Sequence, residues 1–361
     1  MTIFLFLLGL AFLIVGAEAL VKGASRMASS FGVSPLVIGL TVVAFGTSSP
    51  ELAVSVEAAL SGQGGIVAGN VVGSNIFNVL FTLGLSAVVA PLVVSVQLVR
   101  FDVPLMILLS LLVLLLSVDG SIGRIDGLVL VICLVVYVIF LFRQSRGEHL
   151  SARDEDGPEK GRNGETKDSW MMNALLVIAG LSMLVVGSGW LVDGAVILAQ
   201  RLGVSELIIG LTIVAAGTSL PEVVTSIVAV VRGERDIAVG NVVGSNMFNI
   251  MCVLGISGVI APGGIALPEA AIGFDIPVMI AVAFACLPVF FTGGVISRLE
   301  GVFLLGYYAA YTLYLLLDAA QHDALPRLNQ VMLYFVIPLT VITMIIVSVQ
   351  ELVGRKGGRS A

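Results

Sequence analysis

Long apolar runs separated by short polar segments dominate the chain. Each run is close to the length of about 20 residues that an α-helix needs to cross a bilayer. Five runs precede a polar stretch in mid-chain, five follow it, and one more lies near the C-terminus. They fall at about 3–29, 35–60, 66–90, 103–118 and 124–142, then at 172–200, 205–231, 237–261, 274–292 and 298–317, and finally at 331–352. The pattern predicts an all-α integral membrane protein of ten helices plus one appended C-terminal helix.

The two groups of five runs are copies of one another. GTSSPE at 46–51 recurs as GTSLPE at 217–222, and GNVVGSNIFN at 69–78 recurs as GNVVGSNMFN at 240–249, both at an offset of 171 residues. The correspondence extends beyond these signatures, because FDVP at 101–104 is matched by FDIP after a two-residue insertion. The repeat is therefore the whole half of the chain.

An odd number of helices in each half makes the second half enter the membrane from the opposite face. Such inverted-topology repeats typically place a substrate site near the bilayer midplane, at their interface. The predicted organisation is a first repeat of five helices, a cytoplasmic linker, an inverted second repeat of five helices, and an extra helix with a basic tail, at 1–142, 143–170, 171–318 and 319–361. The linker is rich in charge, Gly and Ser, so we interpret it as flexible.

Composition and charge agree with a membrane location. Hydrophobic residues make up 58% of the 361 residues and charged residues 12%, with a mean hydropathy of +1.10, whereas soluble domains carry about 25% charged residues. With the N-terminus outside, 15 of the 18 Lys and Arg residues fall on the inner side. Basic residues favour the cytoplasmic side, so we predict a plasma (inner) membrane protein with a cytoplasmic C-terminus. We expect the protein to lie in the lipid bilayer. We expect no cofactor, no nucleic acid and no protein partner.

One carboxylate in each half lies inside an apolar run. Glu51 and Glu222 occupy equivalent positions, and neither signature contains a basic residue that could pair with them. A charge at the centre of a membrane helix costs about 2.5–3.5 kcal/mol and indicates function by default. Pro50 directly precedes Glu51 and has no N–H to offer the carbonyl of Gly46. We therefore expect a broken helix that exposes backbone oxygens at the midplane, and the same in the second half.

Polar side chains recur at helical spacing around both glutamates. The stripes are Thr47, Glu51 and Ser55 with Asn70, Ser74 and Asn78, and in the second half Thr218, Glu222 and Ser226 with Asn241, Ser245 and Asn249. These groups offer oxygen ligands without nitrogen or sulfur, which suits calcium or sodium and disfavours zinc or copper. Hydrogen bonding between helices is an equally open interpretation for the Ser and Asn residues. The glycine pairs at 69/73 and 240/244 have the spacing of close helix contacts.

Charges nearer the helix ends are not preserved between the halves. Glu18, Lys22, Glu57 and Asp193 have counterparts of different charge, so we interpret them as interfacial. The three cysteines lie in apolar runs without metal-site spacing and are interpreted as core residues.

The duplicated signatures resemble the α-repeats of the sodium/calcium exchanger branch of the calcium/cation antiporter superfamily. The resemblance implies a secondary antiporter that exchanges Ca²⁺ for Na⁺ by alternating access, with an ion site between helices 2, 3, 7 and 8 and with helices 1 and 6 sliding across the core. It implies these ligands: the side chains of Glu51, Glu222, Thr47, Thr218, Ser48, Ser219, Ser74 and Ser245, and the backbone oxygens of Ala44 and Ala215. Asn78 and Asn249 complete the candidate site as neutral residues. Some exchangers of this family have an aspartate at the position of Asn249, so the two glutamates suffice for one Ca²⁺ while the Na⁺ stoichiometry stays open.

Three alternatives remain to be weighed. A cation/proton antiporter of the same superfamily is the nearest, although the NxFN sequence that ends each signature favours sodium. A passive cation channel is not separated from a carrier by sequence. An intramembrane hydrolase using Ser48 or Ser74 would need a base in the membrane, but His149 and His322 both lie in polar segments. We therefore predict a transporter and not an enzyme.

Overall fold

Apolar helices make up almost all of the chain, as the hydrophobic pattern predicts. A computed structural model describes residues 2–155, 170–203, 209, 212–213, 215–291 and 293–342. The helices are α1 (Thr2–Phe31), α2 (Pro35–Thr47), α3 (Ser49–Leu60), α4 (Gly64–Val89), α5 (Leu98–Leu116), α6 (Arg124–Glu155), α7 (Trp170–Arg201), α8 (Ala215–Gly217), α9 (Leu220–Val231), α10 (Arg235–Ile260), α11 (Ala271–Phe291), α12 (Arg298–Ala319) and α13 (Leu325–Ile342). Among the described residues, nine helices are long and apolar enough to cross a membrane, or ten if α2 and α3 form one bent span.

The helix break that the proline predicts is present in both halves. Ser48 leaves helical geometry (φ −80°, ψ 5°) between α2 and α3, which meet at a bend of 46°. Ser219 has nearly the same backbone angles (φ −89°, ψ 6°) before α9. Pro50 and Pro221 lie at the second position of the helices that follow, where the missing N–H costs no helical hydrogen bond. Each glutamate therefore lies in the first turn of a new helix.

The first helices of the two halves, α1 and α7, pack against each other in antiparallel register. Gly9 faces Gly187, and Gly16 faces Gly180, so closely that a Cβ added at Gly16 would lie 2.8 Å from the carbonyl oxygen of Gly180. The contacts are reciprocal, because Gly180 and Gly187 are the repeat counterparts of Gly9 and Gly16. Small residues let the two backbones approach in this way. Antiparallel packing of repeat-equivalent helices is what an inverted repeat requires.

Two short antiparallel strand pairs also join the halves reciprocally. Strand β1 (Leu92–Val93) pairs with β4 (Val295–Ile296), and β2 (Ser121–Ile122) pairs with β3 (Ile265–Ala266). Strand β3 is the repeat counterpart of β1, and β4 is the counterpart of β2. Each half therefore completes its hydrogen bonds with the other half and not with itself.

Helix α6 is longer than the sequence predicts. The apolar run ends near residue 142, but the helix continues without a break to Glu155, into the segment that we expected to be a flexible linker. Part of the reason is a packed contact, because Ser145 is buried and its hydroxyl accepts a hydrogen bond from the backbone N–H of Ser34 at 3.1 Å. Residues 156–169 of the expected linker lie outside the described residues.

The appended helix α13 begins at Leu325, six residues before the predicted run, and the end of that run lies beyond residue 342. It lies at the periphery of the molecule, where the hydroxyls of Tyr307 and Thr340 form a hydrogen bond between α12 and α13. A largely apolar cavity of about 850 Å³ separates α13 from α11 and α12. The described part of this helix contributes no residue to the site between the halves.

Candidate ion-binding site

The two intramembrane glutamates meet at the centre of the molecule. Glu51 and Glu222 are both fully buried, and their carboxylates lie close enough to repel each other electrostatically. Each lies in the first turn of the helix that follows a break, three residues after the serine at that break. The arrangement confirms that the repeat brings one carboxylate from each half to the same place.

Each carboxylate is bound by the serine at the helix break of the opposite half. The hydroxyl of Ser219 donates to Glu51 Oε1 at 2.8 Å, and the hydroxyl of Ser48 donates to Glu222 Oε1 at 3.2 Å. The Ser219 hydroxyl also lies 3.2 Å from the hydroxyl of Ser74. The two serine–glutamate bonds are related by the symmetry of the halves, because Ser219 is the repeat counterpart of Ser48 and Glu222 is the repeat counterpart of Glu51.

Threonine hydroxyls extend the cluster. Thr47 Oγ1 lies 3.0 Å from Asn241 Oδ1 and 3.3 Å from Ser245 Oγ, and both Thr47 and Ser245 face the Glu222 carboxylate. Thr218 is half-buried and faces the Glu51 carboxylate. The predicted hydroxyl side chains of Thr47, Thr218 and Ser245 therefore lie in one cluster with the two carboxylates.

Of the two predicted backbone ligands, Ala44 and Ala215, the structure gives the hydrogen-bond contacts of Ala44. The carbonyl oxygen of Ala44 already accepts the backbone N–H of Ser48 at 3.0 Å, and the Thr47 hydroxyl lies 3.3 Å from it. One lone pair of that carbonyl is thus in use before an ion arrives. Ala215 is the first residue of α8, and its side chain lies outside the described set. Ligation by either carbonyl stays a prediction.

The structure gives Asn70 and Asn241 a positioning role that the sequence did not single out. The amide of Asn70 donates to the backbone carbonyl of Glu51 at 2.9 Å and to the hydroxyl of Ser55 at 2.8 Å. In the second half, the amide of Asn241 donates to the backbone carbonyl of Glu222 at 3.3 Å and to the hydroxyl of Ser226 at 3.0 Å. Each asparagine therefore fixes the backbone of the residue that carries the carboxylate.

Asn75 and Asn246 were missed by the sequence reasoning, and they mark the symmetry axis between the halves. Each donates its amide to the backbone carbonyl of the other at 3.3 Å. The available signal was the second asparagine of the repeated GNVVGSN signature, which no stripe explained. Asn249, one turn further along α10, donates to Asn75 Oδ1 at 3.1 Å.

Several buried oxygens around this centre have no hydrogen-bond partner among the described residues. Among them are Glu51 Oε2, Glu222 Oε2, Asn246 Oδ1, Asn249 Oδ1 and Asn78 Oδ1, and the amide nitrogen of Asn78 is also unpaired. Buried polar atoms without partners are rare and call for an explanation such as an ion. The oxygens come from carboxylates and amides, which suits a hard cation. The described part of the chain holds no cluster of three or more His, Cys, Asp or Glu side chains, so a transition-metal centre gains no support.

One expectation about the helix break was wrong in detail. The carbonyl of Gly46, which Pro50 leaves without its helical donor, does not turn toward the glutamates as a free ligand. It accepts the hydroxyl of Ser49 at 2.7 Å and lies at the end of α2, where the Ser48 N–H also approaches it. A hydroxyl two residues before the glutamate satisfies the carbonyl locally. In the second half a leucine, Leu220, occupies the position of Ser49.

The glycine contacts are confirmed for one of the two pairs. A Cβ added at Gly240 would lie 2.9 Å from the carbonyl of Leu36, and one at Gly244 would lie 2.8 Å from Ala44 Cβ, so α10 packs directly on α2. At Gly69 and Gly73, an added Cβ would meet no described atom within 4 Å. Their repeat-equivalent partners fall near 207–215, which is only partly described, so that contact stays a prediction.

A helical membrane fold whose halves each present one buried carboxylate to a shared, oxygen-only centre defines a transporter of cations. Comparison with known proteins identifies the family. The family model for the sodium/calcium exchanger protein matches residues 1–143 and 172–317, which are the two predicted repeats. The chain belongs to the sodium/calcium exchanger family, and it is an integral membrane cation/Ca²⁺ exchanger.

Individual relatives match over most of their length. The chain is 40% identical over 314 residues to the putative antiporter CaxA of Alkalimonas amylolytica, covering 86% of this chain and 97% of the relative. It is 34% identical to the sodium/calcium exchanger MaX1 of Methanosarcina acetivorans, covering 84% and 95%. The fold matches a structure of the sodium-calcium exchanger NCX_Mj with a TM-score of 0.72 at 31% identity, covering 85% of this chain and 96% of that chain. The eleventh helix lies outside the family match.

Proposed function

We propose that this protein exchanges Ca²⁺ for Na⁺ across the membrane by alternating access. The observation that carries the proposal is the pair of buried carboxylates, Glu51 and Glu222, each held by a serine of the opposite half and each with one unpaired oxygen. Two negative charges balance either one Ca²⁺ or two Na⁺, so the ions compete for one site. That competition is the basis of exchange.

The other residues of the cluster complete the coordination. Ca²⁺ takes six to eight oxygens, and the two carboxylates supply at most four of them. The hydroxyls of Thr47, Thr218, Ser48, Ser219, Ser74 and Ser245 surround the carboxylates, and the amides of Asn78 and Asn249 offer unpaired oxygens nearby. In this proposal the glutamates supply charge and the neutral groups replace the hydration shell.

Sodium is proposed as the counter-ion in preference to the proton. The neutral hydroxyl and amide oxygens around the glutamates are ligands for a metal cation and do not ionise near neutral pH. The relatives MaX1 and NCX_Mj are sodium/calcium exchangers by name. A Ca²⁺/H⁺ antiporter is the second candidate, because a carboxylate pair also binds protons.

Flux into proteoliposomes tests the proposal. An outward Na⁺ gradient should drive ⁴⁵Ca²⁺ uptake, and collapsing the pH gradient with an ionophore should leave that uptake unchanged. Uptake driven by a pH gradient in the absence of Na⁺ would establish the proton alternative. Ca²⁺ entry without any counter-ion would indicate a passive channel. Glu51→Gln serves as the inactive reference, and Glu57→Gln, which removes an exposed charge from the same helix, serves as the matched control.

Orientation in the plasma membrane is proposed on the distribution of basic residues. With the N-terminus outside, the segment around Gly157 faces the cytoplasm and the loop at Gly263 faces outside. A tag at each position, probed with an impermeant reagent, should be reachable from opposite sides. Labelling of both tags from one side would contradict the inverted arrangement of the halves.

A further inference from the structure

The two ends of the molecule are not packed alike, although the halves share one sequence pattern. Helix α1 packs along α9, whereas its repeat counterpart α7 makes almost no contact with α3, the counterpart of α9. The exposed faces agree: Thr225 on α9 is fully buried, while Val54, its counterpart on α3, is 39% exposed. The crevice between a long helix and the core is therefore closed at the end near Val231 and open at the end near Leu60.

Two polar contacts fasten the closed end. Glu18 on α1 forms an ion pair with Arg232, directly after α9. About two turns further along α1, the hydroxyl of Ser25 donates to the carboxylate of Glu234 at 2.6 Å. Both contacts join the long helix of the first half to the same short loop of the second half. We call this pair of contacts the α1 latch.

The repeat does not reproduce the α1 latch at the open end. The counterparts of Glu18 and Arg232 are Gly189 and Ser61, which hold no charge. The counterparts of Ser25 and Glu234 are a valine, at position 196, and Gln63. If each half adopted the arrangement that the other half has in this structure, α7 would pack on α3 and α1 would separate from α9. In that state both contacts of the latch are broken and no equivalent ones replace them.

We propose that the α1 latch sets which end of the ion pathway is open, by favouring the state that is closed at the Val231 end. The proposal rests on the alternating access described above and identifies the residues that bias it. An inverted repeat with two identical halves would populate both access states equally. Any bias must therefore come from positions that the repeat does not preserve, and these contacts are at such positions, across the crevice that must open.

The size of the bias follows from the exposure of the contacts. The side chains of Glu18 and Arg232 are 49% and 56% exposed, and ion pairs of that kind change an equilibrium by about two- to fivefold. A hydrogen bond to a carboxylate at the half-buried Ser25 contributes a similar factor. A shift of this size redistributes two access states while leaving the fold intact.

Hydrogen exchange of the full-length protein in lipid nanodiscs tests the latch. When opening is fast and rare, the amide exchange rate is proportional to the population of the open form. Glu18→Gln and Arg232→Gln should each raise the exchange rate of peptides covering 18–31 and 226–236 by about two- to fivefold. The double variant should be no faster than either single variant, since both remove one interaction. Exchanging the two charges, with Glu18→Arg and Arg232→Glu together, should restore the slow rate.

Glu57→Gln and Asp193→Asn are the matched controls, because each removes one exposed acidic charge near a helix end without touching the latch. Unchanged rates in the latch variants, an equal rise in the controls, or a rise spread over the whole protein would overturn the proposal. Na⁺-driven Ca²⁺ uptake by the same purified wild-type protein, reconstituted into proteoliposomes, separates the two proposals. Flux without a response at the latch refutes the latch alone, while absence of Na⁺-driven Ca²⁺ uptake refutes the proposed function.

Discussion

Asn241→Ala is the substitution whose effect the structure defines most closely. The Asn241 side chain makes three hydrogen bonds, two from its amide to the Glu222 carbonyl and the Ser226 hydroxyl and one accepted from Thr47. Among the described residues, Asn70 makes two such bonds in the first half, to Glu51 and Ser55. Hydrogen bonds between membrane helices average about 0.6 kcal/mol each. We expect Asn241→Ala to lower the free energy of unfolding by about 2 kcal/mol, and Asn70→Ala by about 1 kcal/mol.

The same loss should appear in ion binding, because the lost bonds hold the backbone that carries Glu222. If the full 2 kcal/mol is expressed in the loaded state, the apparent Ca²⁺ affinity falls by about 30-fold. Reversible unfolding in mixed micelles measures the stability, and the Ca²⁺ dependence of Na⁺-driven flux measures the affinity.

Thr47→Val provides the control for Asn241→Ala, since it removes the contacts of the Thr47 hydroxyl with Asn241 and Ser245 on α10 and leaves the two bonds from the Asn241 amide in place. The coupling energy between Thr47→Val and Asn241→Ala should be about 0.6 kcal/mol in a double-mutant cycle. Asn241→Ala that costs less than Asn70→Ala, or a coupling near zero, would refute a stabilising hydrogen bond between Thr47 and Asn241.

Four further substitutions test other parts of the site and the fold. Glu51→Gln and Glu222→Gln should each abolish Ca²⁺ exchange while expression stays normal, because either substitution removes half of the charge of the site. The double variant should be no worse than either single variant. Substantial flux in one of the single variants would contradict a shared site. Pro50→Ala should restore a backbone donor, reduce the 46° bend and weaken transport while the protein still inserts; wild-type apparent affinity would mean that the bend serves packing alone. Gly16→Leu should destabilise the protein by about 1–3 kcal/mol or more, since its Cβ would lie 2.8 Å from the Gly180 carbonyl oxygen. Thermal unfolding measures this effect, and an unchanged unfolding temperature would contradict the close approach of α1 and α7.

Much of the fold and the centre of the site could be predicted because simple physical signals carry them. Apolar length defines the spans, and a proline one residue before a glutamate predicts the break that Ser48 and Ser219 show. Duplication of the signature predicts that Glu51 and Glu222 meet, since a two-fold relation brings equivalent positions together.

Other features have no such signal in the sequence. The strands β1 to β4 are only two residues long, which is too short for an alternating pattern to be seen. The polar end of α6 is helical although its composition indicates a flexible segment. Asn78 and Asn249 occupy the same position of the repeated signature, yet Asn249 donates to Asn75 while Asn78 has no partner among the described residues. The repeated signature has asparagine at both positions, so the sequence does not predict that the two side chains make different contacts.

The crossed pairing of the strands has a consequence for how the protein is made. Strand β1 at Leu92–Val93 cannot find its partner until β4 at Val295–Ile296 has been synthesised. At about 5–20 residues per second, the intervening 200 or so residues take about 10–40 s to emerge from the ribosome. During that time the first half stands in the membrane with an unpaired strand edge, which is open to wrong partners. Two halves expressed as separate chains should accordingly associate into one carrier, whereas the first half expressed alone should be degraded.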